Sequence, residues 1–301
     1  QRDAVDAFMA GRNPFTLKFQ DIYSPAESAL FYGPGMSVGG RLQFGFVYPP
    51  LSLLLAIPGV VLGGDFRYSQ LIAMSITGAF IGSTRRSPIG LAAAALYLFA
   101  PRAFFVLEQG WTEPFVVLLL AAIVFCACRL PACLGVALGL FFVSKQYVLL
   151  ALPLVPLLSP TGRELRWGTF ISGSVVALAV TLPFVLWDAR AFVRDVVTLQ
   201  FSQPFRSDAL SLPAAIRYVT GWRLPTACAF LAAMVASWMA WRGCPRGPSG
   251  FAAATGFVLF AFFAFNKQAF CNYYSLVVGS LCVAVGAWPP DTLAISNTSR
   301  F

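Results

Sequence analysis

Long apolar runs recur along this chain, and they limit its possible folds more than any other feature. The runs are about 15 to 20 residues long, near the length that an α-helix needs to cross a bilayer. Their residues do not alternate between apolar and polar at every second position, as the strands of a membrane barrel would. We therefore predict an all-α membrane protein, a polytopic transmembrane helical bundle of about nine apolar segments.

The overall composition agrees with a membrane location. Hydrophobic residues make up 58% of the chain and charged residues 11%, and the mean hydropathy is +0.74. A soluble domain has about a quarter of its residues charged. Several predicted segments, among them 134–143 and 148–158, are too short to cross about 30 Å of hydrocarbon unaided. We expect these to be helices that break at membrane depth, where the break lines a cavity.

Two polar stretches divide the chain. We assign residues 1–46 to an external loop and residues 47–301 to the transmembrane helical domain, which includes a second external loop at 188–223. No positively charged, short apolar leader precedes Gln1. We therefore expect that an upstream piece of the protein, with a first transmembrane helix, is missing from this sequence.

The first polar stretch contains two local patterns. The apolar positions between Asp3 and Ala10 suit a short interfacial helix that ends at Gly11. Residues 33–45 are rich in glycine, which predicts either an irregular loop that another molecule can approach closely or a simple flexible connector.

The formal net charge of +9 comes mainly from arginines in short links between apolar runs. Positive-inside topology and lipid head groups explain these arginines, so the expected partners are membrane lipids and not nucleic acid. The links that we place in the cytoplasm contain Arg85, Arg86, Arg129, Arg163, Arg166, Arg242 and Arg246.

This orientation leaves several polar clusters on the opposite, external side. They are residues 109–114, 145–146, 188–223 and 266–268. One conflict follows if the first loop is also external, because the apolar segments 47–62 and 68–83 cannot then both be simple crossings. Either one of the two is re-entrant or the Arg85-Arg86 link lies outside.

Histidine is absent, which excludes His-based acid–base catalysis, Ser-His triads and His-ligated metals. The seven cysteines lie in or beside apolar runs without zinc-ligand spacing or a disulfide framework, and we interpret them as buried apolar side chains. We predict no metal-ligating residues and no cofactor, and we leave a divalent cation open.

Lysine is rare in this chain, and two of its three lysines sit in matching surroundings. Lys145-Gln146 and Lys267-Gln268 each interrupt an apolar run, where a charge costs about 2.5 to 3.5 kcal/mol. One interpretation is that the two ammonium groups bind a shared anionic ligand, with Gln146, Gln268 and Asn266 as hydrogen-bonding neighbours. The other is that each lysine reaches water from a short turn between two half-length helices.

Further candidates lie in the predicted external links. Glu108 and Glu113 flank a polar turn and are candidates for sugar or cation binding, although Thr112 as an N-cap and Glu113 beside the helix dipole would explain the same pattern. Arg206 is a phosphate-binding candidate, and a surface pair with Asp208 is the more ordinary explanation.

The start of the second external loop predicts an amphipathic helix at the membrane interface. Asp188 is its expected N-cap, and apolar residues alternate with Arg190, Arg194 and Asp195 on the opposite face. A later helix is expected to be capped by Ser211.

Two short motifs, in this order, resemble the GT-C superfamily of integral membrane glycosyltransferases. The first is a Gly-x-Asn-Pro-aromatic step in an acidic first loop, at Gly11, Asn13, Pro14 and Phe15. The second is aromatic-Pro-Pro-Leu at 48–51, opening a helix, and it adds Tyr48 to the substrate-binding candidates. The Lys145 segment and the loop before Leu224 fit the same layout.

The resemblance implies a glycosyltransferase with a polyprenyl-phosphate-linked sugar donor, a mannose-type hexose, and a lipid, glycan or protein acceptor. It implies an active site on the non-cytoplasmic face, at a bacterial plasma membrane, and an inverting transfer. An Asp of the first external loop removes the acceptor proton, and Asp3 and Asp6 match by position before Gly11. The superfamily's critical Asp usually lies further before the Asn-Pro step, so this chain can begin after it.

Two other functions fit the same features. A lipid-linked sugar flippase or transporter would also use intramembrane lysines and broken helices, although the sequence shows no pair of inverted halves. A non-catalytic membrane assembly protein would make both Lys-Gln pairs structural.

Overall fold

The computed structural model describes residues 1–159 and 165–289, and almost all of its regular structure is helical, as predicted. The α-helices are α1 (Arg2–Met9), α2 (Pro25–Phe31), α3 (Pro50–Gly63), α4 (Arg67–Thr84), α5 (Pro88–Phe99), α6 (Pro101–Glu108), α7 (Glu113–Arg129), α8 (Leu134–Phe142), α9 (Trp167–Trp187), α10 (Ala189–Phe192), α11 (Leu199–Ser202), α12 (Leu212–Thr220), α13 (Ala227–Gly243), α14 (Pro248–Ala264) and α15 (Cys271–Gly286). Two 3-10 helices, Pro131–Cys133 and Gln146–Leu158, and one π-helical stretch, Val193–Thr198, interrupt this order, and β1 (Ser37–Val38) and β2 (Arg41–Leu42) form a small hairpin.

The first loop is folded. Its predicted short helix is confirmed as α1, which ends before Gly11 in the left-handed conformation at φ 71°. The glycine-rich part is more regular than an irregular loop, because β1 pairs with β2 around Gly39 and Gly40, both at positive φ. Two central residues with positive φ are what a tight two-residue hairpin turn requires, and glycine adopts that conformation without a steric cost.

Two hydrophobic cores hold the chain together. The larger core lies among α4, α7, α14, α15 and the long 3-10 helix. The smaller core fixes the first loop against α3, α9 and α10, and Phe15 lies at its centre, with Phe46, Phe184 and Phe192 edge-on around it. Burial of several aromatic rings explains why this polar-looking stretch is anchored, since each ring removes a large apolar area from water.

The arginine-rich links meet at one end of the helical bundle, which we call the basic end. Arg129 donates to the carbonyl of Thr84, at the end of α4, and Arg85 donates to the carbonyl of Ala287, just past α15. The Ser249 hydroxyl at the start of α14 donates to Ala284. Arg163, which we assigned to the same set, lies outside the described residues.

The opposite end, which we call the polar end, gathers the predicted external clusters. It holds the first turns of α4, α7 and α15, the last turn of α14, Lys145, the first loop and the 188–223 loop. Every Asp and Glu of the described residues lies there. The short links at the basic end are therefore left with arginines and no described acidic residue, as the positive-inside rule predicts for short cytoplasmic links.

Helix α3 resolves the conflict over the first two segments. Val47, just before α3, accepts a hydrogen bond from Gln146, and Arg67, just after α3, donates to the carbonyl of Glu108. Both ends of α3 therefore lie at the polar end, and the chain bends by 112° between α3 and α4. The first segment therefore does not run from one end of the bundle to the other, and the Arg85-Arg86 link lies opposite the polar end.

Helix α9 is long and apolar enough to cross a membrane by itself, and two bent pairs, α3 with α4 and α5 with α6, raise the number of described spans to three if each counts as one. The prediction of about nine crossing segments stays a prediction.

Helix α9 packs on α8 through glycines: a Cβ on Gly139 would stand 2.3 Å from the Gly173 carbonyl oxygen. Small residues of this kind let membrane helices approach closely.

The predicted amphipathic helix after Trp187 differs from the structure at Asp195 and at two valines. Asp188 does cap α10, accepting from the Ala191 nitrogen at 2.9 Å. However, Asp195 is fully buried, whereas Val193 and Val197 are about half exposed. Most of the expected face is kept, since Phe192, Val196 and Leu199 are buried. Asp195 joins them because it has hydrogen-bond partners in the first loop. The Ser211 hydroxyl occupies the N-cap position of α12 without making a capping hydrogen bond.

Candidate functional site

A buried ion pair between Glu113 and Lys145 lies at the centre of the polar end. Glu113 is the first residue of α7, and Lys145 precedes the long 3-10 helix with an extended backbone at φ −157° and ψ 151°. The Lys145 ammonium donates to Oε1 of Glu113, and the two side chains are 3% and 1% exposed. Thr112 stands at the N-cap position but is helical (φ −79°, ψ −1°), so its hydroxyl does not cap α7.

Three tyrosines surround the ammonium group of Lys145. Its nitrogen lies 4.7 Å from the ring centre of Tyr48, 5.4 Å from that of Tyr147 and 5.8 Å from that of Tyr273. The Tyr147 hydroxyl also donates to Oε1 of Glu113 at 3.0 Å. Aromatic faces attract a cation, and the attraction grows when water is excluded. The ammonium is therefore held by one carboxylate and three rings.

The second oxygen of Glu113 has no hydrogen-bond partner among the described residues, although it is buried. Glu113 lines a cavity of about 10 Å³ together with Met74, Tyr97 and Ser275. That volume is about what one water molecule needs. Glu113 can therefore accept a further hydrogen bond from a group that enters this cavity.

Gln146 connects the site by hydrogen bonds to the end of the first loop and to the 188–223 loop. Its side-chain nitrogen donates to the carbonyl of Val47 at 2.7 Å and to that of Val196 at 3.0 Å. Gln200 reaches the same Val47 carbonyl at 3.3 Å. These contacts hold Tyr48, the residue after Val47, over Lys145, so Gln146 positions one wall of the site.

The second Lys-Gln pair has different partners from the first. Lys267 donates to the carbonyls of Phe201 at 2.9 Å and Gln203 at 2.5 Å, and Gln268 donates to Pro204 at 2.9 Å. Burial lowers the pKa of Lys267. The side chain of Asn266 makes no hydrogen bond with the described residues. The two lysines therefore have different protein partners, and Lys267 closes the end of α11, where carbonyl groups lack helical partners. Their binding to a shared anionic ligand stays a prediction.

Arg206 connects the first loop with the link before α15. Its guanidinium lies 3.9 Å from the ring centre of Phe31 and 5.0 Å from that of Phe270, and it forms two hydrogen bonds with Asp208. The guanidinium holds the pKa of Asp208 below its ordinary value. The more ordinary explanation, a pair with Asp208, is therefore present, and the flat faces of the guanidinium are covered by aromatic rings.

The carboxylates proposed from the first loop lie on its surface. Asp3 and Asp6 are on the exposed side of α1, and the partner of Asp6 is Arg2 at 3.9 Å. Glu108 ends α6 and contributes its backbone carbonyl to Arg67. The structure brings none of these three carboxylates into contact with Lys145, and their roles stay predictions.

Sequence reasoning missed Tyr147 and Tyr273 as parts of the site. A signal existed for Tyr147, which is two residues after Lys145, and for Tyr273, which stands beside a second tyrosine just after the Lys267 link. Among the described residues, no group of three or more Cys, Asp or Glu side chains is arranged to hold a metal ion. The site contains instead the buried ammonium of Lys145, the carboxylate of Glu113 with one oxygen unpaired among the described residues, and the side chains of three tyrosines.

Two solved structures share this fold. They are ArnT from Cupriavidus metallidurans bound to undecaprenyl phosphate, with a TM-score of 0.51 and 16% identity, and ArnT from the same organism in the apo state, with 0.52 and 18%. Each match covers 98% of this chain and 56% of the ArnT chain, so this chain spans just over half the length of those proteins. No family model and no curated protein matches the sequence. At this level of identity the likeness is one of fold: this chain has the helical arrangement of ArnT.

Proposed function

We propose that this chain forms the donor-binding part of a membrane glycosyltransferase whose donor is a polyprenyl-phosphate-linked sugar. The observation that carries the proposal is the buried Glu113–Lys145 pair under three tyrosines, at the polar end of an ArnT-like fold. The ArnT structure with undecaprenyl phosphate supports a polyprenyl carrier. Sugar transfer from such a carrier needs a cation near the departing phosphate, because negative charge grows there as the glycosidic bond breaks.

Lys145 is the cation that we assign to the donor phosphate. Its ammonium lies in a site with little water, where an electrostatic interaction is stronger than in bulk solvent. In the structure the Lys145 ammonium is paired with the carboxylate of Glu113 and lies under the Tyr48 ring. Phosphate binding therefore requires Tyr48 to move aside and the phosphate to replace the carboxylate as the partner of Lys145. Lys267 and Arg206 are two further candidate cations at the polar end. To bind phosphate, Lys267 would have to break its hydrogen bonds to backbone carbonyls, and Arg206 would have to break its pair with Asp208.

The finer features of the reaction are also part of the proposal. We infer a mannose-type hexose, an inverting transfer to a lipid, glycan or protein acceptor, and Asp3 or Asp6 as the general base. These features rest on the order of the Gly11-to-Phe15 and 48–51 motifs. Asp3→Asn and Asp6→Asn, made in a protein extended to its natural N-terminus, should then lower turnover more than donor binding. Normal turnover in both variants would place the base elsewhere.

The proposed active site faces away from the cytoplasm. The described charges support this orientation, since arginines without acidic neighbours occupy the opposite end of the bundle. A cysteine introduced at Ser207 in a background without other cysteines should react with an impermeant reagent added from outside. A second variant that keeps Cys133 as its single cysteine, exposed at the basic end, is the matched control and should react only after permeabilisation. The reverse pattern would contradict the external active site.

Release of labelled sugar from a polyprenyl-phosphate donor tests the activity directly. The purified full-length protein should release or transfer the sugar, whereas a flippase or an assembly protein should leave the donor intact. Donor that is moved across a vesicle membrane without cleavage would favour the transporter, and neither movement nor cleavage would favour the assembly protein.

The role of Lys145 needs a variant that does not leave a buried charge without a partner. Lys145→Met with Glu113→Gln removes both charges together, so the fold is more easily kept than with Lys145→Met alone. We expect this double variant to lose donor binding and single-turnover transfer at least tenfold. Lys18→Met is the control, because Lys18 is a first-loop lysine whose partner, Gln43, is also at the surface. A well-folded double variant with unchanged binding would contradict the assignment.

A further inference from the structure

A groove between α4 and α5 opens at the basic end, and the proposed transfer reaction does not use it. The groove has a volume of about 350 Å³ and is lined by Gly78, Ala79, Gly82, Ser83, Arg86 and Leu91. The α4 wall consists of small residues, and Leu91 on α5 is 62% exposed. The volume lies within the range of small-ligand sites. The wall is apolar and faces outward, so it suits a slender apolar chain.

Positive charge is concentrated at the end of this groove. Arg86 is exposed and forms no hydrogen bond or ion pair with its side chain among the described residues. Arg129 lies beside it, because its guanidinium donates to the carbonyls of Ser83 at 3.4 Å and Thr84 at 2.9 Å. No Asp or Glu of the described chain lies at this end. Guanidinium groups bind phosphate oxygens through two parallel hydrogen bonds.

The start of α5 adds to the positive field. This 12-residue helix begins at Pro88, two residues after Arg86. The N-terminus of a helix carries about half a positive charge, and anions are stabilised beside it. The mouth of the groove thus combines a free guanidinium, a second guanidinium and a helix N-terminus.

From these features we propose that the groove binds an anionic phospholipid of the leaflet at the basic end. The phosphate lies at Arg86, and one acyl chain lies along the α4 wall between Gly78 and Gly82. A soluble anion would need the charge but not the apolar wall, and a zwitterionic lipid would gain less from the unbalanced positive charge. Basic pockets between transmembrane helices bind anionic head groups for the same reason.

Native mass spectrometry of the purified protein tests this site, with phosphatidylglycerol and phosphatidylcholine of the same acyl chains as probes. We expect the protein to retain phosphatidylglycerol at least fivefold more strongly than phosphatidylcholine. Arg86→Gln should remove most of this preference. Ala79→Leu keeps every charge and fills the exposed wall of the groove, and it should reduce retention of phosphatidylglycerol by a similar factor.

Arg242→Gln is the matched control, since Arg242 lies at the same end but contacts Trp238 instead of the groove. It should retain phosphatidylglycerol as the unmodified protein does. An equal loss in Arg242→Gln and Arg86→Gln would overturn the proposal, because it would show a diffuse effect of net charge. Unchanged retention in Ala79→Leu would also overturn it, and this variant decides the matter if Arg86→Gln is not monodisperse.

Discussion

The carboxylate of Asp195 accepts a hydrogen bond from the backbone nitrogen of Gly45 at 2.8 Å. Arg194 holds both oxygens of the same carboxylate and donates to the Phe15 carbonyl at 3.0 Å. A Cβ on Gly45 would stand 2.5 Å from that carbonyl oxygen, so this approach of two backbones requires glycine. Asp195 therefore joins the first loop to the 188–223 loop, and both loops enclose the proposed site.

Asp195→Asn keeps the shape of the side chain and removes its charge. We expect the free energy of unfolding to fall by about 1 to 3 kcal/mol, because a buried charge-assisted hydrogen bond is lost. Unfolding in mixed detergent micelles measures this change. Asp208→Asn is the control: Asp208 is half exposed and paired with Arg206, and such a pair contributes about 0 to 1 kcal/mol. Similar losses in the two variants would contradict the role of Asp195.

A double-mutant cycle should show that Glu113 and Lys145 stabilise each other. Lys145→Met leaves a buried carboxylate and Glu113→Gln leaves a buried ammonium, and each should cost about 3 to 5 kcal/mol of unfolding free energy. The double variant should lose clearly less than the sum of the two single changes. Additive losses, measured in the same micelles, would mean that the two groups do not interact.

Mild acid should loosen the first loop around Asp21. Hydrogen bonds from Ser28 and Ser37 lower the pKa of Asp21 below its ordinary value. A lowered folded-state pKa gives stability that is present above the unfolded value of about 3.9 and is lost as the pH falls through the folded value. The protection of amides across residues 21–38, measured as the exchange rate relative to the intrinsic rate at the same pH, should therefore fall below about pH 4. Asp21→Asn should exchange faster at neutral pH and lose this pH dependence, and an unchanged profile would contradict the prediction.

The glycine contact between α8 and α9 predicts a sharp difference between two alanine substitutions. Gly139→Ala would bring a Cβ to 2.3 Å from the backbone oxygen of Gly173, whereas Gly168→Ala meets nothing within 4 Å. We expect Gly139→Ala to cost about 1 to 3 kcal/mol through overpacking. Gly168→Ala should be neutral or slightly stabilising, since alanine favours a helix. Thermal unfolding of the two variants checks the difference, and equal midpoints would contradict close packing at Gly139.

Local patterns predicted the helical architecture well. Pro88 begins α5 and Pro248 begins α14, which follows from the preference of proline for the first turn of a helix. The arginine links also predicted which residues meet at each end. The placement of both ends of α3 at the polar end could not be predicted, because its apolar sequence is the same whether or not the helix crosses the bilayer.

The partners of the charged groups could not be predicted in the same way. Lys145 and Lys267 have nearly identical neighbours in sequence, yet one binds Glu113 and the other binds backbone carbonyls. Those partners come from segments 32 and 64 residues away, and only tertiary packing brings them close. The burial of Asp195 was missed for the same reason, since a helical pattern does not show that one polar residue has buried hydrogen-bond partners in another loop.

The long 3-10 helix changes how the length of a segment relates to its reach. Gln146–Leu158 has 13 residues, with Pro153 and Pro156 inside it. A 3-10 helix rises about 2.0 Å per residue, so the segment covers about 26 Å, as far as about 17 residues of α-helix at 1.5 Å each. Tight winding thus lets a short stretch extend from Lys145 to the neighbourhood of Gly247, whose nitrogen bonds to Leu157. Criteria that count residues at the α-helical rise will miss such a traverse in other chains of this fold.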